Sequence, residues 1–302
     1  MGEIYIEYEY WFAAFQLSFA MLGMGATLTI SDFKDVMREP RAVTFGIIIQ
    51  LVLVPLIAFV FISYAGLSPG VAIGIALIAS IPGGTISNIF TYLARGNTPL
   101  SISITGLTTF ACLITTPLIL GLLVTQYLPT DFVMPAEKII SDIALTLLLP
   151  LVVGMMLLRY VSQHAGWVSK WSIRASLFGI FLIVAGSGSA GRLDVNAFGM
   201  ENIGLVSAFV AILVVSSWGV ARLLRLSRED STAIEMEVVV RNINLGLLIK
   251  ASMFPAIAGS AGTMGDMVLF TLLLYGGQQT LIAALITFQR RRVCSTKQTA
   301  IE

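Results

Sequence analysis

About nine stretches of mostly apolar residues recur along the chain, each near the ~20 residues a helix needs to cross a bilayer core. They run from about Trp11 to Leu28, Ala42 to Ile62, Val71 to Leu93, Leu100 to Val124 and Ile139 to Leu158, then Ile173 to Ala190, Ile203 to Leu224, Thr232 to Phe254 and Met267 to Phe288. Only 12% of residues are charged, and mean hydropathy is +0.90; a soluble domain carries about 25% charged residues. With short loops throughout, residues 1–302 read as one transmembrane unit, an all-α polytopic membrane protein. A net charge of +1 leaves no basic surface for nucleic acid. Cys112 sits in an apolar run and Cys294 in a basic tail, so no disulfide is expected.

Basic residues set the orientation, because cytoplasmic loops collect Lys and Arg. With the N-terminus outside, fourteen of the 18 Lys and Arg fall on the cytoplasmic side, among them Arg95, Arg222 and Arg290. Lys138, Arg192 and Lys250 fall outside. The C-terminus is therefore expected in the cytoplasm. Met1–Tyr10 carries Glu3, Glu7 and Glu9 and no basic residue, unlike the opening of a signal peptide. Ser31 to Met37 reads as a short capped amphipathic turn. No Asn-x-Ser/Thr sequon occurs, which favours a bacterial plasma (inner) membrane.

Two spans are interrupted. Ser80-Ile81-Pro82-Gly83-Gly84-Thr85-Ile86-Ser87-Asn88 lies inside the third run. Proline lacks an amide hydrogen and clashes with the preceding turn, and the glycines leave the backbone free to depart from a helix. In hydrocarbon the freed backbone groups need protein or water, so the break must line something polar. The eighth run carries Glu235, Glu237, Arg241, Asn242 and Asn244. Intramembrane charges are expensive and face a cavity or each other. The two spans run in opposite directions, which points to inverted repeats with a site where the breaks cross.

At these residues the chain resembles the bile acid:sodium symporter family. The resemblance rests on Met21 to Leu28 with Ser31-Asp32-Phe33, on Pro82 to Asn88, on Thr91 to Asn97 and on Glu237 to Asn242, and covers nearly the whole chain. It implies a nine-helix form with a panel domain of helices at about 11–28, 139–158 and 173–190. The core would hold the helices within about 42–124 and 203–288, including both broken ones.

Ser87 and Asn88 follow the first break, Ser101 and Thr105 share one face of the next span, and Glu237 comes from the opposite repeat. Five oxygen-bearing side chains, one anionic, suit a hard cation. These positions match the family's first sodium site, and one sodium ion is the expected bound ion, with no organic cofactor. For the second site the resemblance puts a glutamine where Arg241 stands, with a further glutamine matched by Gln50. A guanidinium donates only and cannot ligate a cation. The expectation is that Arg241 replaces that ion, paired with Glu237 or Gln50; a structural ion pair or contact with an anionic substrate are the alternatives.

Both second half-helices start at the crossing, near Thr85 and near Asn242 to Asn244, where helix N-termini favour an anion. Thr85 and Asn242, and less directly Asn244, are the candidate substrate contacts. Gly276, Gly277, Gln278 and Gln279 either line the cavity or pack helices, and Pro55, Pro117 and Pro150 predict kinks. The expected activity is sodium-coupled symport of an organic anion, bile-acid-like or a small carboxylate such as pantoate or a keto acid, by a monomer using alternating access. A sodium-independent or proton-coupled carrier is the alternative. A membrane-embedded enzyme is disfavoured, since the spans hold no histidine and Cys112 has no evident base.

Overall fold

The computed structural model describes residues 2–29, 31, 40–128, 131–256 and 262–299, with side chains as far as 291. Its regular elements are helices: α1 (Gly2–Gly25), α2 (Pro40–Tyr64), α3 (Pro69–Ser80), α4 (Thr85–Leu93), α5 (Thr98–Val124), α6 (Ala136–Tyr160), α7 (Ser162–Ser189), α8 (Val195–Phe198), α9 (Met200–Leu223), α10 (Arg228–Val239), α11 (Ile243–Met253) and α12 (Met264–Thr299). Among the described residues six of these, α2, α5, α6, α7, α9 and α12, are long and apolar enough to cross a membrane. The chain is a multi-pass membrane protein.

The short helices α3 and α11 are apolar on nearly every face, and a helix of that pattern belongs inside a bundle. Both are buried almost throughout. The six long helices have only 28–44% of their apolar windows covered, so their remaining faces look outward. Small residues let the inner helices close up: a Cβ at Gly74 would stand 2.6 Å from Thr271 of α12. On the other side of the molecule α1 packs along α6 and α7, and a Cβ at Gly154 would stand 2.5 Å from the Leu22 carbonyl.

The third and eighth spans are broken as expected, into α3 and α4 and into α10 and α11. Gly83 and Arg241 pair as an isolated antiparallel bridge, and Asn242 N donates to Pro82 O at 2.9 Å, so the two breaks meet. The prolines have a specific consequence. Pro55 and Pro150 each follow a π-helical turn, Ile49–Leu53 and Ile143–Leu148, which widens the helix where the ring would strike the carbonyl four residues back. Pro117 sits inside α5.

The start of the first helix differs from the sequence reading. The first helix starts at Gly2 and ends at Gly25, well ahead of the expected Trp11 to Leu28, because Glu9 is buried and charge-paired. The turn expected at Ser31 to Met37 falls, apart from Ser31, outside the described residues.

Candidate functional site

Each break leaves helix-end carbonyls without intrahelical donors, and named side chains supply them. Thr116 Oγ1 donates to Ser80 O and Tyr275 OH to Val239 O, both at 2.8 Å. Gln279 clasps the main chain of Arg241, accepting from its N at 2.8 Å and donating to its O at 3.1 Å. The Arg241 guanidinium donates to the carbonyls of Ile78 at 3.3 Å and Ala79 at 3.4 Å, and to that of Ile81. It thereby caps the negative end of α3. The expected pairing with the side chain of Glu237 or Gln50 is corrected: its bond to Glu237 goes to the main-chain oxygen, at 3.4 Å. The carbonyls of one ended helix offer a more compact set of acceptors than either side chain.

Glu237, 1% exposed, projects from α10 into the gap beside Gly83. Ser87, Ser101 and Thr105 donate to its Oε1 at 2.5, 2.6 and 2.7 Å. Asn88 Oδ1 closes the cluster, 2.8 Å from Ser101 Oγ and 3.1 Å from Thr105 Oγ1. All five residues read as cation ligands thus come together from α4, α5 and α10. Gln50, in the π-helical turn of α2, donates to Glu237 Oε2 at 2.8 Å and accepts from Gly83 N at 3.2 Å. The donor set is oxygen only, as a hard monovalent or divalent cation prefers.

On the other side of the crossing lies a cavity of about 530 Å³. Thr85, Asn242 and Asn244 line it, as do Arg241, Gly276, Gly277 and Gln279. Its far wall is apolar, with Leu177 and Ile180 of α7 and Met21 of α1. Among the described residues Thr85 Oγ1 and the buried Asn242 Nδ2 have no hydrogen-bond partner. Asn242 Oδ1 caps α11 by accepting from Leu245 N at 3.4 Å, leaving its amide nitrogen free for a ligand. Gln278 differs from its neighbours: it donates to Ser207 of α9 at 2.7 Å and does not line the cavity.

A second charged cluster escaped the sequence reading. Glu9 Oε1 of α1 accepts from Arg192 Nη1 and from Lys250 Nζ, both at 2.7 Å, and Glu9 Oε2 accepts from Ala256 N at 3.0 Å. Arg192 also pairs with Asp266 at the start of α12. Desolvation alone would lower the pKa of Arg192, yet the Glu9 and Asp266 carboxylates hold it above the ordinary value. Arg192 and Lys250, assigned from the sequence to the outer side of the membrane, are buried. Nearby, Asp142 of α6 accepts from Tyr10 of α1 at 2.7 Å and from Ser252 of α11.

These features define a class: a polytopic membrane protein organised around two interrupted helices that cross beside an oxygen cluster and a cavity. The profile of the Sodium Bile acid symporter family matches residues 14–190. The chain belongs to that family. It is 31% identical over 238 residues to the "Uncharacterized sodium-dependent transporter YocS" of Bacillus subtilis, a match covering 79% of this chain and 73% of that protein. It is 30% identical over 239 residues to the "Probable sodium/metabolite cotransporter BASS1, chloroplastic" of Arabidopsis thaliana, covering 79% of this chain and 58% of the plant protein. It is 25% identical over 275 residues to the human "Sodium/bile acid cotransporter 4", covering 87% of this chain and 59% of the human protein. The chain therefore spans little more than half the length of the plant and human relatives.

Proposed function

We infer that this protein is a secondary transporter that couples sodium to movement of an organic anion by alternating access. The observation that carries the reading is the convergence of Ser87, Asn88, Ser101, Thr105 and Glu237 directly behind the crossing whose front lines the cavity. Sodium between these oxygens would turn the three hydroxyls from donors into ligands and offset the charge of a desolvated carboxylate. The ion would then hold α4, α5 and α10 together. Gly84, which follows Gly83 at the crossing, is the N-cap of α4, so holding the crossing also aims the α4 N-terminus at the substrate. Binding of ion and anion become linked because each favours one geometry of the same joint.

The substrate anion sits between the N-termini of α4 and α11, with Thr85 Oγ1 and Asn242 Nδ2 as donors and Asn244 beside them. Its apolar body lies against α7. The substrate is bile-acid-like or a smaller carboxylate such as a pantoate-like or keto acid. Arg241 holds the carbonyls that could otherwise ligate a second ion, which supports a single sodium. The same observation favours the second reading, a sodium-independent or proton-coupled carrier, since it removes one of the two charges brought by ions.

α1 and the two broken pairs bring the crossings to nine. α1, α6 and α7, which pack on one another, form the panel, and the remaining helices form the core. The Glu9 cluster joins these two bodies at the N-terminal end of α1, while Ala20 and Met21 reach the cavity about 16–18 Å further along the helix. That end is the closed side, and it faces outward in a bacterial inner membrane, with the C-terminus in the cytoplasm. The working unit is a monomer. Uptake by proteoliposomes, assayed with a panel of labelled carboxylic and sulfonic acids with and without a sodium gradient, tests the reading. Sodium-driven uptake of at least one acid is expected; uptake indifferent to sodium would shift the assignment to the second reading.

A further inference from the structure

Away from the crossing, the C-terminal part of α9, the start of α10 and α12 enclose a pocket of about 440 Å³. Arg222, Arg225, Arg228 and Arg290 line it. The one carboxylate in the lining, Glu235, is already bound by Arg290 at 2.8 Å. Arg228 donates to the Arg290 carbonyl at 2.5 Å, so two of the four guanidiniums are held in place by the protein itself. Arg222 and Arg225 are exposed, and Arg222 lies 5.4 Å from the ring of Trp218.

Excess positive charge at a helix end is ordinary at a membrane surface; a concave pocket with four guanidiniums drawn from three helices and the turn between α9 and α10 is more specific. Guanidinium forks match the oxygens of a phosphodiester, and basic pockets between membrane helices take anionic headgroups. What lies below the pocket separates a lipid from a soluble anion. On α9, Ile212, Val215, Trp218 and Arg222 follow one another at helical spacing and are exposed, at 36%, 65% and 51% for the three apolar residues. An apolar stripe thus descends from the charged pocket, as the acyl chains of a bound lipid require. We propose that this pocket binds the headgroup of an anionic phospholipid, with Arg222 and Arg225 as the contacts not already used within the protein fold. The Arg290–Glu235 pair at the pocket's edge already ties α12 to α10, the half-helix that carries Glu237, so the lipid would sit beside that joint.

The test needs no knowledge of the transported anion, so its failure and that of the transport reading are separable. Retention of phosphatidylglycerol and of phosphatidylcholine by the purified full chain is measured by native mass spectrometry, alone and with excess inorganic phosphate. Phosphatidylglycerol should be retained preferentially, should resist phosphate, and should bind about tenfold more weakly to the double variant Arg222→Gln, Arg225→Gln. Equal retention of the two lipids, or an unchanged variant, would overturn the proposal. Displacement by phosphate would show that the ligand is a soluble anion and overturn the lipid assignment. Should the variant not fold, the parent chain decides: its melting temperature in phosphatidylglycerol nanodiscs must exceed that in phosphatidylcholine, and equality would refute the site.

Discussion

Gly83 and Glu237 occupy one volume: a Cβ at residue 83 would stand 2.3 Å from Glu237 Oε2. The glycine that breaks the third span is therefore also the space into which the carboxylate of the eighth span fits. Gly83→Ala must push Glu237 Oε2 away from Gln50 and so turn the carboxylate against its hydroxyl partners on Oε1, a strain of about 1–3 kcal/mol in a packed interior. Sodium affinity, read from the sodium dependence of uptake or of thermal stability, should fall about tenfold. An unaltered sodium curve would mean that Glu237 does not hold the ion in the geometry described.

Glu237→Gln keeps the shape of the side chain and removes its charge. Ser87, Ser101 and Thr105 would still find an acceptor, so the fold should persist while the proposed sodium site loses the charge of Glu237. Stabilisation of the purified protein by sodium should disappear, and a retained sodium-induced rise in melting temperature would place the ion elsewhere.

At the cavity, Thr85→Val keeps the volume and deletes the unpartnered hydroxyl. One lost hydrogen bond to an anion is worth about 1.5 kcal/mol, so the substrate KM should rise about tenfold with the order in sodium unchanged. A KM that stays put would remove Thr85 from the contact set.

The breaks and the oxygen cluster around Glu237 were legible in the sequence for a physical reason. Pro82, Gly83 and Gly84 cannot continue a helix in an apolar run, and a carboxylate at 237 in such a run demands partners. Ser101 and Thr105 declared a shared face by their spacing. The partners of Arg241 were hidden because main-chain carbonyls at a helix end leave no mark in side-chain identity. The Glu9 cluster was hidden for a different reason. Its members come from α1, the α7–α8 connection, α11 and α12, and each alone reads as an interfacial charge. Only packing shows that they neutralise one another. Gln279 read equally well as packing or lining, and its clasp on Arg241 depends on which way its amide faces.

Arg241→Gln tests whether a fixed charge has taken the place of an ion. The carbonyls of Ile78, Ala79 and Ile81 would lose their donor, while Gln50 and Glu237 remain beside the crossing. The sodium dependence of uptake should steepen from first towards second order. First-order dependence in the variant would show that Arg241 is a helix cap alone.

The Glu9 cluster combines two cations and two carboxylates in a buried space, so removing one member leaves an unbalanced charge away from water. Breaking a buried pair costs about 3–5 kcal/mol, and Lys250→Met should fall near 3 because Arg192 still neutralises Glu9. Equilibrium unfolding in detergent measures that loss. The same cluster is one of the contacts between α1 and the ends of α11 and α12 that must part if the cavity is to open towards the N-terminal end of α1. In Lys250→Met and Glu9→Gln, a cysteine placed at Leu177 on the cavity wall should therefore react faster with an impermeant maleimide applied from that side. If Lys250→Met is destabilised while the labelling rate does not change, the cluster braces the fold without gating it, and the closed side of the carrier must be sealed by other contacts.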